Sequence, residues 1–113
     1  MSNLTTINQL KAQFNIENFA LKTVNQINKD LNGLIVDTLV FSESNDNLDM
    51  INHQLLPIIK ELDRVGQLQQ FIYQVDLAEK QWMFFINNQD VTFLSHQIII
   101  REAQKVYLRE MFR

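Results

Sequence analysis

Asp90-Val91-Thr92-Phe93-Leu94-Ser95-His96-Gln97-Ile98-Ile99-Ile100-Arg101-Glu102-Ala103-Gln104-Lys105-Val106-Tyr107-Leu108-Arg109-Glu110-Met111-Phe112 is the stretch on which the architecture turns. Asp90 is a good N-cap, and residues three and four apart share one face of the helix Val91–Phe112 that it would open. His96, Ile99, Ile100, Ala103, Val106, Tyr107 and Met111 gather on one side and predict a core face. Leu94, Ile98, Leu108 and Phe112 form a second stripe roughly opposite, with Arg101 and Lys105 between them. A helix on the surface of a monomer should carry one apolar stripe and one polar one. Two stripes mean that the helix is enclosed in its own domain, with the N-terminal helix as its cover, or that another chain covers it. The stems of Arg101 and Lys105 can pack, but their charges need water or a carboxylate. The expectation is therefore a protein partner, first of all a second copy in a symmetric homodimer. Its interface would comprise Leu94, Ile98, Arg101, Lys105, Leu108 and Phe112.

Upstream, Ile16, Phe19, Ala20, Val24, Ile27 and Leu31 recur at helical steps, and Ile7, Leu10 and Phe14 extend the run backwards. Asn32-Gly33 is a stop signal. Leu34–Phe41 fits a short buried strand or a further helical stretch, and helix is expected. Ser42–Asn47 is a polar loop in which Asp46, with Asp49 behind it, would cap the next helix. That helix places Leu48, Ile51, Leu55, Ile58, Ile59, Leu62 and Val65 on one face, with a kink or break before Pro57 and an end at Gly66. Leu68, Phe71, Ile72 and Val75 continue the helical spacing, and Asp76 with Glu79 looks like a capping box for a helix through Trp82–Ile86. The rival pattern is alternation at Phe71, Tyr73, Val75 and Leu77, which would make residues 71–86 a β-hairpin and the fold α+β.

Composition agrees with helices. Two Gly and one Pro leave few obligatory turns for an all-β fold. The 113 residues leave room for one domain, spanning 1–113, and the 46% apolar share is enough for a core. A formal charge of −3 disfavours nucleic acid and anionic membranes as partners. Cysteine is absent, which excludes disulfides, thiolate metal sites and a cysteine nucleophile and agrees with a reducing cytoplasm. The opening Met1–Thr6 has neither the basic nor the apolar region of a signal peptide.

Candidate chemistry is sparse. Asp49 and His53 stand one turn apart, but two ligands do not make a metal site. His96 falls on the predicted core face, where a packed, hydrogen-bonded neutral imidazole is the expectation. Trp82-Met83-Phe84-Phe85-Ile86 is apolar all round and predicts core. Arg101, Lys105, Arg109 and Arg113 form an i, i+4 series that fits a solvated face near a helix C-terminus, with Glu102 and Glu110 interrupting it. No nucleophile elbow, phosphate loop or calcium loop occurs, and no cofactor or metal is expected. The sequence thus predicts an all-α single-domain bundle of about four to six helices. Its function is expected to be non-catalytic protein–protein contact in the cytoplasm. The alternative is a small-ligand or enzymatic site near His96 and Trp82.

Overall fold

The apolar periodicities resolve into helices in a computed structural model that describes residues 5–112; residues 1–4, where the leader was sought, and Arg113 lie outside them. Among the described residues there are six: α1 (Ile7–Gln13), α2 (Phe19–Leu31), α3 (Asn47–Arg64), α4 (Leu68–Val75), α5 (Glu79–Asn88) and α6 (Val91–Met111). They hold 71% of the described residues, and there is no strand, so the hairpin at 71–86 is not formed. Helix α6 lies at the centre and is packed by each of the other five. The buried apolar side chains make one continuous cluster, from Leu10 of α1 to Val106 of α6.

Local chemistry sets the boundaries. Asp46 and Asp90 cap α3 and α6, each accepting a backbone N–H three residues on, from Asp49 and Phe93. Thr6 and Gln9 form a reciprocal capping box on α1. Gly66, at φ +78°, ends α3 with the Gln67 N–H bonded to the Leu62 carbonyl, a Schellman closure. Asp76 does the same for α4 without a glycine. It is left-handed at φ +62°, and Leu77 N–H bonds the Ile72 carbonyl. Asp76 therefore closes α4 and does not cap α5, contrary to the capping-box expectation. Arg101 of α6 fixes it there, donating to its carbonyl at 3.0 Å and its carboxylate at 2.9 Å.

Three other expectations change. The run Ile7–Leu31 is broken at residues 14–18, where a turn separates α1 from α2.

 Phe14 and Phe19 are both buried there, with ring centroids 5.8 Å apart, while Ile16 is left exposed. Helix α3 runs unbroken through Pro57, because Ile51 and Leu55 before it and Ile59 and Leu62 after it are all buried on one face. Residues 34–41 are not helical. They form a strap between α2 and α3, tied down by side-chain amides. Asn28 of α2 accepts from Leu39 N–H at 2.7 Å and donates to its carbonyl at 2.8 Å. Gln54 of α3 grips Val40 in the same two-point way, both bonds at 2.9 Å. An extended residue points its N–H and C=O to one side and its neighbour's to the other. The amides of α2 and α3 thus stand where neighbouring strands would.

Leu39 is buried, so losing one amide leaves two backbone groups short of partners. Asn28→Ala is expected to lower stability by about 1–3 kcal/mol. Hydrogen exchange at the Leu39 amide should accelerate far more than at α6 amides, and unchanged Leu39 protection would rule the clamp out.

Candidate functional site

The central position of α6 accounts for its two stripes. Leu94 and Ile98 are fully buried within their own chain, as are Ile99, Ala103 and Val106. Six residues were expected to form the partner interface, and the structure separates them. Leu94 and Ile98 lie in the core, and Arg101 is engaged with Asp76. Lys105 is engaged with Asp30 and Glu102. Leu108, at 37% exposure, and Phe112, at 77%, reach the surface. On the predicted core face, Met111 is exposed and His96 and Tyr107 are only partly buried.

Between α2 and α6 runs a polar seam. Lys22 pairs with Glu110 at 2.6 Å, Arg109 donates to Gln26 at 2.9 Å, and Lys105 donates to Asp30 at 2.8 Å. Numbers rise along α2 as they fall along α6, so the two helices are antiparallel. Gln26 also donates to Asp30 at 3.3 Å, and Lys105 reaches the Gln74 carbonyl of α4 at 3.1 Å. Glu102 sits deepest, with no exposure. Its Oε1 lies 3.0 Å from the Lys105 ammonium, yet neither of its oxygens accepts a well-directed hydrogen bond. Burial pushes its carboxyl up to about 9, and the neighbouring Asp30 carboxyl adds to the rise against the opposing pull of Lys105. Desolvation offsets much of the attraction in such a cluster, so its net contribution to stability is small. A slipped register, however, would strand these charges in the core.

The sequence marks neither acid as buried. Glu102 was expected only to interrupt a solvated basic series, and that series is not a free patch. Arg101, Lys105 and Arg109 each reach a partner on α2 or at the end of α4. The available signal was Asp30, an acid between Ile27 and Leu31 on an apolar face, which calls for a cation from the opposing helix.

His96 faces a recess of about 150 Å³ with Ile7 and Lys11 of α1, the Asp46 cap, and Leu48, Asp49 and Asn52 of α3. This is smaller than the usual range for ligand sites, about 300–1,000 Å³. Trp82 is not part of it and stacks on Phe85 instead, so the two residues of the alternative site stand apart. Burial holds the His96 imidazole below its ordinary value, with Asp90 opposing and Lys11 reinforcing the shift. Next to it, the Ser95 hydroxyl donates to Asn52 Oδ1 at 2.5 Å. His53 is exposed, and no group of three metal-ligating side chains occurs among the described residues.

Two apolar surfaces involve residues singled out in the sequence. Of Trp82–Ile86, only Phe85 is fully buried, while Met83, Phe84 and Ile86 are substantially exposed, because α5 packs chiefly on α6. The second surface is a groove of about 210 Å³ where the α1–α2 joint meets the end of α6. Ile16, Phe19, Tyr107 and Met111 give it apolar walls, with Glu17, Lys22 and Glu110 on its lining. Among the described residues, no helix is long and apolar enough to cross a membrane. Comparisons of the chain with protein-family models, with curated proteins and with solved structures found no significant match.

Two predictions follow from this geometry. Lys105→Ala leaves Asp30 and Glu102 without their cation and should cost about 3–5 kcal/mol, read from the denaturant midpoint; a change under about 0.5 kcal/mol, as at an ordinary surface site, would refute the seam. His96, held neutral by burial, should titrate below 6.5 by NMR. Since its charged form is disfavoured in the fold, its stabilising effect is present above 6.5 and is lost as pH falls.

Proposed function

We propose that this chain is a non-catalytic helical domain that works through protein–protein contact, first of all with a second copy of itself, using the last turns of α6. The observation that carries this is the pairing of a knob with a groove. Phe112 stands 77% exposed beside the groove walled by Ile16, Phe19, Tyr107 and Met111. A two-fold axis would let each chain seat its Phe112 in the other's groove, the reciprocal arrangement of a closed dimer. Leu108 and Met111 continue the apolar surface around the knob. Charge supports the same occupant, because Arg109 precedes Phe112 by three residues while Glu17 lines the groove. Aromatic anchors entering apolar pockets are the usual centres of binding energy. The absence of cysteine agrees with action in a reducing cytoplasm.

Sedimentation over a range of concentrations tests this. The parent chain should show a monomer–dimer equilibrium, and Leu108→Glu with Phe112→Glu should be monomeric with unchanged helical circular dichroism. A parent that stays monomeric at high concentration refutes self-association. A double variant that unfolds instead of dissociating assigns these side chains to the fold.

A further inference from the structure

We propose that the seam between α2 and α6 holds one captive proton, shared between Glu102 and Asp30, and that its loss loosens the seam, so that the fold contains an alkaline-sensitive latch. The geometry brings two carboxyls and one ammonium together where water has little access. Asp30 is nearly buried and Glu102 completely so. The Lys105 ammonium is directed at Asp30 Oδ2, 2.8 Å away, and at the Gln74 carbonyl, 3.1 Å away. It approaches Glu102 Oε1 at 3.0 Å without hydrogen-bond direction. An ionised Glu102 would therefore leave both oxygens unserved and the cluster at −1, in surroundings where charge is poorly screened. A protonated Glu102 needs only one acceptor for its O–H, and the Asp30 carboxylate, which stands against the same Lys105 ammonium, is placed to serve as one. Asp30, Lys105 and neutral Glu102 then sum to zero charge.

Among the described residues, the charged groups flanking the cluster have partners of their own. Helix α4 presents only the Gln74 carbonyl to Lys105. On α6, Arg109 is directed at Gln26 and Arg101 at Asp76, and on α2 Lys22 is paired with Glu110. Lys105 thus joins α2, α4 and α6 at one atom, and a second negative charge beside it acts on all three contacts. Burial keeps the Glu102 carboxyl at about 9 against an ordinary 4.5. The folded chain therefore binds a proton that the unfolded chain releases. That stabilisation is complete below 4.5 and declines as pH rises, until it is exhausted above about 9.

The direct test is NMR titration of the intact chain labelled with ¹³C at glutamate side-chain carboxyls. The Glu102 resonance should titrate with a midpoint near 9; a midpoint in the ordinary carboxylate range overturns the proposal. The second test is the unfolding equilibrium constant of the parent and of Glu102→Gln, whose amide imitates the protonated acid. Between pH 6 and 8 the parent constant should rise by up to about tenfold per pH unit more than that of the variant. Parallel slopes overturn the latch. If Glu102→Gln fails to fold, the carboxyl titration decides alone.

Discussion

A 21-residue helix packed by five others must bury side chains on more than one face, and the rest of this structure follows from that constraint. The polar side chains that α6 turns toward its neighbours meet partners inside the chain. Ser95 meets Asn52 of α3, Arg101 meets Asp76 at the end of α4, and Lys105 meets Asp30 of α2. Apolar packing stabilises such a bundle but tolerates many registers, since one leucine surface resembles another. Charges do not tolerate them, because a shift of one turn leaves a carboxylate in apolar surroundings at a cost of several kcal/mol or about that order. The shell is positioned around α6 by these few contacts while the apolar cluster supplies the stability.

The strap at residues 34–41 shows the same requirement at the level of the backbone. Its β-branched residues Ile35, Val36, Thr38 and Val40 favour extended chain. Extended chain also covers about 3.3 Å per residue against about 1.5 Å in a helix, which suits a connection from the end of α2 to the start of α3. Without a sheet, the N–H and C=O groups of such a segment need other partners. Asn28 and Gln54 provide them because a side-chain amide carries the same donor and acceptor as a peptide group.

The helical class, the Asp46 and Asp90 caps and the Gly66 stop were legible in the sequence, because periodicity and capping are local properties. The fate of residues 34–41 was not, since their amide partners lie 11 and 14 residues away. Asp76 misled for a related reason. Asp serves at a helix start and also tolerates left-handed backbone, and here Arg101, 25 residues distant, holds it in the second role. The second stripe of α6 is covered by its own chain at Leu94 and Ile98 and reaches the surface at Leu108 and Phe112. Arg101 and Lys105 pointed to a foreign acid only as long as Asp76 and Asp30 were not known to face them. Trp82–Ile86 erred in the opposite direction, because an apolar run predicts burial only when enough neighbours surround it, and α5 leans chiefly on α6.

The groove at the end of α6 is a consequence of the seam. One wall comes from Phe19 and Lys22 of α2, the other from Tyr107, Glu110 and Met111 of α6. Its width is therefore the distance between these two helices, which the contacts Lys22–Glu110, Gln26–Arg109 and Asp30–Lys105 hold in sequence. Arg109 occupies the turn between the buried acids and the exposed Phe112. In the proposed latch a change of charge at Glu102 acts on the spacing of α2 against α6, which also sets the distance between two of the groove's walls. The proposed contact surface and the proposed latch thus lie on the same pair of helices.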